Sequence, residues 1–183
     1  MENHQKRILI DIGCGPDPAP GHLGLDFRKT VKPDIVAKLP DFPFKSNSID
    51  GLRARHVLEH FFSEDVIKIL REGARCLKMG GYFQVIVPHF SGPIPFHFDH
   101  KSFWSYNTPH TLAVGGLHDE QIGSHYALDT CELRWMRKEY GGRFPWLVKF
   151  MNTIINRSPF TMERLAHWYG GIYEMEFKLE KIN

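Results

Sequence analysis

In the first half of the chain, apolar residues come in short runs that stop at glycine, aspartate or proline. Residues 7–12 form one such run and open into Gly13-Cys14-Gly15, which predicts a buried parallel strand ending in a tight turn. Residues 22–27 predict a second strand and 34–37 a short third. Ser48 to Arg55, carrying Ile49, Leu52 and Ala54, predicts a fourth. The period then changes. Val66, Ile67, Ile69, Leu70, Ala74 and Leu77 recur at helical spacing. Ser63 is placed as the N-cap, with Glu64 and Asp65 in the first turn, where acids suit the helix dipole. Gly80-Gly81 is the expected stop. Tyr82 to Val87 reads as a fifth strand, stopped by Pro88.

The second half is patterned differently. Residues 88–125 are rich in Pro, His, Phe and Gly and show little periodicity; so long an irregular stretch inside a domain is usually either functional or wrongly assigned as irregular. Residues 126–138 alternate as a strand. Residues 146–157 form an amphipathic helix with Trp146, Leu147, Phe150, Met151, Ile154 and Ile155 on one face. Residues 172–182 alternate again and predict a half-buried antiparallel strand. Strands separated by crossovers imply an α/β fold, a Rossmann-like three-layer sandwich with a mostly parallel sheet, and ligands at the strands' carboxyl ends. Residues 1–183 are expected to form a single domain.

Composition narrows the classes. Hydrophobic content of 42% and charged content of 24% place the chain among ordinary globular proteins. A net charge of +2 gives no bulk attraction to nucleic acid. Cys14, Cys76 and Cys131 are odd in number and lack metal-type spacing, which points to a reducing compartment. The run after Lys6 and Arg7 is cut by Asp11, too early for a secretory leader. The expected location is cytoplasmic.

The chemistry begins at the glycine turn. Without a Cβ, Gly13 and Gly15 let the backbone approach a ligand closely. Asp26 ends the second strand, where a carboxylate can accept hydrogen bonds from both ribose hydroxyls. The dinucleotide fingerprint needs a third glycine, and its place is taken by Pro16-Asp17-Pro18. The short span from Gly15 to Asp26 and Pro16, Pro18 and Pro20 within it predict a truncated first crossover helix.

Together with downstream motifs, this loop resembles the class I S-adenosylmethionine-dependent methyltransferases, in the methyltransferase type 11-like, short-looped subgroup. The matching stretches are Ile10 to Gly15, Leu25-Asp26, Leu39-Pro40 with Phe42-Pro43-Phe44, Asn47 to Asp50, His56 to His60, and Ala74 to Phe83. The resemblance covers residues 7–90, the cofactor-binding half, and implies S-adenosyl-L-methionine as cofactor. It implies Gly13, Cys14 and Gly15 under the methionine part, Asp11 near its amino group, Asp26 on the ribose and Phe27 over adenine. It further implies Leu39 at the adenine edge, and Arg55 and His56 beside the sulfonium. One departure is Lys38, where relatives often carry an acid before the Leu-Pro-Phe stretch.

Residues 91–183 would then supply the acceptor side. His89 and His100 are the candidate bases, since a hydroxyl or amine acceptor has a proton to lose; packing within a loop is the equal alternative. The His56-Glu59-His60 and His97-Asp99-His100 spacings also suit metal ligands without being diagnostic, and no metal is expected. The expected acceptor is a small molecule or glycan-type compound. An RNA or protein acceptor, and a non-catalytic cofactor-binding module, stand as alternatives. Residues 134–164 are locally basic; a lid over the site or a solvated face is the favoured reading, and weak contact of 143–164 with an anionic membrane surface is the alternative.

Overall fold

The computed structural model describes residues 7–123, 125–136 and 144–183. Seven strands form one sheet: β1 (Leu9–Ile12), β2 (Leu23–Asp26), β3 (Ile35–Val36), β4 (Ile49–Arg55), β5 (Leu77–Pro88), β6 (Tyr126–Arg134) and β7 (Glu174–Lys181). Their order is β3-β2-β1-β4-β5-β7-β6. The first five strands run parallel. β7 lies between β5 and β6 and is antiparallel to both. The mostly parallel α/β sheet with an antiparallel C-terminal strand is as the pattern predicts. The sequence does not place β7 inside the sheet, and that position explains why Met175, Phe177 and Leu179 are all fully buried.

The strand order reverses between β1 and β4, so their carboxyl ends flank a crevice. Apolar side chains on β1, β2, β4 and β5 (Ile10, Ile12, Leu25, Leu52, Phe83 and Val85) are buried and hold that crevice on a rigid floor. The first crossover is truncated, and the next two are as bare. Residues 13–22, 27–34 and 37–48 contain no α-helix, only a 3₁₀ turn at Lys29–Val31. Loops therefore form the walls of the crevice on this side.

The helix between β4 and β5, α1 (Ser63–Cys76), buries Val66, Ile69, Leu70, Ala74 and Cys76. The wholly buried Tyr126 donates its hydroxyl to the Leu70 carbonyl at 2.9 Å, tying β6 to this helix. Two boundary expectations are corrected. Phe62, not Ser63, takes the cap position, without a side-chain cap. The helix ends at Cys76, and Gly80-Gly81 lies within β5 rather than terminating α1. Buried Leu77 already pairs with Ile49, and the register then shifts so that Gly51 faces Tyr82. The glycines absorb that bulge, with Gly80 at φ +71°.

The irregular stretch after β5 contains two short helices, α2 (Asn107–Leu112) and α3 (Asp119–Ile122). β6 stops at Arg134, short of the predicted residue 138; Arg137, Lys138 and Arg143 of the basic stretch lie outside the described residues. After it come α4 (Pro145–Arg157) and α5 (Pro159–Arg164). α4 sits against the sheet edge. Asn156 Oδ1 accepts from the Leu133 amide at 2.8 Å, Asn156 Nδ2 donates back to the Leu133 carbonyl at 2.8 Å, and Asn152 Oδ1 accepts from the Trp135 amide at 2.8 Å. Two asparagines thus cover backbone groups that an edge strand would otherwise leave open to another chain. The predicted apolar face is only partly used: Ile155 is buried, whereas Trp146, Phe150 and Ile154 are exposed. No helix among the described residues is long and apolar enough to cross a membrane.

Candidate active site

The β1–β2 turn sets the centre of the site. Gly13 has φ +63°, and a Cβ there would lie 2.6 Å from Val57 Cγ2. Glycine is required on both counts: the conformation is left-handed and the neighbour is close. The Cys14 amide donates to the Leu25 carbonyl at 3.2 Å, which carries the strand pairing into the turn. Asp11 is buried, accepts from Arg53 Nη1 at 3.0 Å and takes the Ala19 amide at 2.9 Å. It therefore anchors the proline-rich loop as well as facing the crevice. Burial, with Asp26 and Asp11 nearby, pushes the Cys14 thiol up to about 11, so it stays protonated and unreactive near neutrality.

Asp26 at the end of β2 is 2% exposed and fully engaged. Its oxygens accept from the Gly15 amide at 3.1 Å, the Arg28 amide at 2.9 Å, and Arg28 Nε and Nη2 at 3.1 Å each. Burial alone would raise its pKa, but the Arg28 hydrogen bonds and charge, with the two amides, hold it below the usual range.

Two cavities meet at this turn. One, of about 540 Å³, is lined by Gly13, Leu25, Asp26, Phe27, Arg28, Ala37, Lys38, Leu39, His56 and Val57, and continues to His60, Phe61, Asp99 and Lys101. The other, of about 620 Å³, is lined by Asp11, Gly13, Cys14, Asp17, Pro18, Ala19, Pro20, Arg53, Arg55 and His56. Gly13 and His56 belong to both. The structure thus brings Asp11, Gly13, Cys14, Asp26, Phe27, Leu39, Arg55 and His56 to one connected space. Gly15 adjoins it through Asp26 and Arg28.

His56 is the hinge of this arrangement. It has φ +53°, a conformation that costs a non-glycine residue on the order of 1–3 kcal/mol and persists only when its surroundings enforce it. Its amide donates to the Ile86 carbonyl at 2.8 Å. Nδ1 faces Glu59 Oε1 and Nε2 faces Glu174 Oε2, each at 3.2 Å. Carboxylates only accept, so the ring is held as a donor on both sides. Burial would raise the Glu174 pKa, but His56 and Arg134 bring it down to about 2. Arg134 also pairs with Glu176, so it belongs to this internal network rather than to a basic surface.

The two candidate bases are placed differently. His89 is completely buried and lines neither cavity. Nε2 meets Glu163 Oε1 at 2.8 Å and Nδ1 meets Ser91 Oγ at 2.9 Å; Glu163 also accepts the Tyr106 amide at 2.5 Å. This geometry counts against a base at His89: its ring ties β5 to α5 and lies outside both of these cavities. His100 is half-buried, stacks edge-on with His60 at 4.9 Å between ring centroids, and lies next to the cavity residues Asp99 and Lys101. Sequence reasoning missed Arg28, Arg53, Glu174 and Arg134. Arg53 faces Asp11 only through the β1–β4 register, where the two are direct partners, and Glu174 reaches His56 across 118 positions.

Comparison with known proteins bears on the fold that carries these residues. Residues 10–85 match the family model described as a methyltransferase domain. The match spans the strands and turns that build the crevice, somewhat under half of the chain. No curated protein matches the sequence. Among solved structures, it is similar to an S-adenosylmethionine-dependent methyltransferase from Archaeoglobus fulgidus. That match has 17% identity and a TM-score of 0.62, covering 96% of this chain and 86% of the other. A Haloferax volcanii methyltransferase solved with its Trm112 activator matches at 14% identity and a TM-score of 0.59, covering 100% and 85%. Phosphoethanolamine N-methyltransferase 2 of Haemonchus contortus, solved with S-adenosyl-L-methionine, matches at 14% identity and a TM-score of 0.60, covering 98% and 49%. At these identities the likeness speaks for the fold.

Proposed function

We propose that this chain is an S-adenosyl-L-methionine-dependent methyltransferase acting on a small-molecule or glycan-type acceptor that enters at the His60–Asp99–Lys101 end of the first cavity. The observation that carries this reading is the meeting of the two cavities at Gly13 and His56. A ligand lying across that junction has Asp26, Phe27 and Leu39 on one side and Asp11, Cys14 and Arg55 on the other. S-adenosyl-L-methionine, when bound, supplies a methyl group already activated on sulfonium.

The chain's own residues then have the task of holding and aligning. In this proposal Asp26 accepts the ribose hydroxyls, Phe27 and Leu39 cover the adenine, and the Gly13 turn lets the methionine part lie close to the backbone. Asp11 is partly neutralised by Arg53, so a ligand ammonium group shares that carboxylate with the guanidinium. His56, fixed between Glu59 and Glu174, is a rigid wall at the junction; both carboxylates offset positive charge gathered there. The net charge of +2, with no bulk attraction to a polyanion, favours a small acceptor over RNA.

The test is calorimetry with S-adenosylhomocysteine and with NAD. Binding of the former alone supports the reading. Binding of NAD, or of neither, overturns it. Turnover is then followed as S-adenosylhomocysteine release over panels of sugar, phenol, amine and thiol acceptors. Silence across the panels, with release on RNA or protein, would move the acceptor assignment to a macromolecule.

A further inference from the structure

Next to the acceptor end of the first cavity, Glu59, His60 and His100 each bring a potential ligand atom within 4.8 Å of the others. The three come from two places: Glu59 and His60 from the 3₁₀ turn after β4, and His100 from the loop after β5. Backbone bonds lock the two together. The Lys101 and Ser102 amides donate to the Glu59 carbonyl at 2.7 and 3.2 Å.

A second, independent observation concerns the free atoms. Glu59 is 1% exposed, and while Oε1 accepts from His56, Oε2 is buried with no hydrogen-bond partner among the described residues. A buried carboxylate oxygen without a partner is costly, and such an orphan calls for an explanation. The imidazoles are prepared in a complementary way. His100 Nδ1 lies 3.1 Å from the Pro95 carbonyl, and His60 Nδ1 lies 3.3 Å from Asp99 Oδ2. The His100 hydrogen bond calls for N–H at Nδ1 and leaves a lone pair at Nε2, and the Asp99 carboxylate beside His60 Nδ1 favours a proton on that nitrogen as well. Metal-binding histidines are oriented in this way, with the second nitrogen donating to a carbonyl or carboxylate.

We infer that Glu59, His60 and His100 form a binding site for a divalent transition-metal ion beside the acceptor end of the cavity. Two imidazoles and one carboxylate suit zinc and its neighbours, and this donor set leaves a coordination position for a further ligand. Magnesium and calcium prefer oxygen donors and fit it poorly. Ligand atoms about 2.0–2.2 Å from a tetrahedral ion lie roughly 3.4 Å apart, so binding draws the three together by up to about 1.4 Å. The 40% exposed His60 side chain and the loop position of His100 leave room for that movement. Because His60 and Asp99 also line the cavity, an ion here would hold an oxygen, nitrogen or sulfur atom of the acceptor; that last role rests on the proposed function, whereas the site itself does not.

The test uses the full chain without an affinity tag, stripped by chelator and titrated with Co²⁺ while visible absorption is recorded, then with Zn²⁺ in competition. One ion per chain is expected, with d–d bands of nitrogen and oxygen coordination. His60→Ala and His100→Ala should each weaken binding by about tenfold or more. His97→Ala, which changes a nearby imidazole outside the set, should leave it unchanged. Thermal melting and S-adenosylhomocysteine calorimetry on the same samples establish folding and cofactor binding separately. Equal affinity in the parent and in folded His60→Ala or His100→Ala, or no stoichiometric binding by a folded parent, overturns the site. A chain that binds S-adenosylhomocysteine but no Co²⁺ loses the metal site and keeps the methyltransferase reading. A chain that binds Co²⁺ through these histidines but no S-adenosylhomocysteine does the reverse.

Discussion

Asp26 cannot serve Arg28 and a ribose at once, and this conflict predicts two substitutions of opposite sign. Its two oxygens already take four donors, two of them from the Arg28 guanidinium. A ligand whose hydroxyls need that carboxylate must displace the guanidinium. Arg28 is 49% exposed, so the ion pair is worth at most about 1 kcal/mol after solvent screening. Arg28→Ala removes that competition and should tighten S-adenosylhomocysteine by up to about fivefold. Its cost to stability should be small, since the side chain is half in water. Asp26→Ala acts the other way. Hydrogen bonds to a charged group contribute about 1.5–3 kcal/mol each, so losing two to the ribose should weaken binding by about 100-fold or more. It also strands the Gly15 and Arg28 amides, so its melting temperature should fall.

The assay is calorimetry at a temperature where all variants are folded, with far-UV circular dichroism as the check. Double substitution gives the sharper reading. If the guanidinium acts only through Asp26, then Arg28→Ala should confer no gain in an Asp26→Ala background. Unchanged affinity in Asp26→Ala would refute the ribose assignment. Weaker binding in Arg28→Ala would show that the guanidinium contacts the ligand rather than competing with it.

The buried His89–Glu163 pair gives a further expectation: His89→Ala should lower stability by about 3 kcal/mol or more, by leaving a charge unpaired, with S-adenosylhomocysteine affinity kept in the folded fraction; a folded variant that melts normally but loses turnover would restore His89 as a base. Glu174 lies between His56 and Arg134 with its pKa near 2 against 4.5 unfolded, so it stabilises the fold fully above pH 4.5 and loses that contribution as pH falls through 2. Glu174→Gln should therefore cost about 3 kcal/mol near neutrality and flatten acid unfolding by the same amount; parallel pH–stability curves would refute the network. Residues 144–169 expose Trp146, Phe150, Phe160 and Trp168 among Lys149, Arg157 and Arg164, with Glu163 the sole acid. Vesicles containing phosphatidylserine should sediment this chain, and Trp146→Ser with Phe150→Ser should release it; equal sedimentation of both forms would remove the surface from consideration.

The fold was legible wherever chemistry is local. Residues 9–12, 23–26 and 49–55 announce themselves as short apolar runs closed by turns, and the prolines at 16, 18 and 20 foretell the missing first helix. Boundaries failed where tertiary pairing overrode a local signal. Gly80-Gly81 carries a standard helix stop, yet Leu77 gains more by burial against Ile49 in the sheet than it would in a further helical turn. The amphipathic stripe of α4 is real, but its asparagines, not its aromatics, fasten it to the sheet edge.

The site shows the same division at closer range. Asp11, Gly13 and Asp26 lie at strand ends within a few residues of a turn, so their convergence follows from the turn itself. His56, Glu174 and Arg134 meet only because β7 is inserted between β5 and β6, a topological fact invisible in any window of sequence. That insertion has a chemical consequence. It gives the base of the cofactor crevice a buried acid supplied from the last strand, which holds a strained histidine in place. Glu59, which holds the other side of that histidine, keeps its second oxygen without a hydrogen-bond partner among the described residues and lies close to His60 and His100. The histidine-rich middle of the chain thus divides by depth: His89 fastens the sheet to α5, whereas His60 and His100 face one another beside the cavity where the acceptor is proposed to enter.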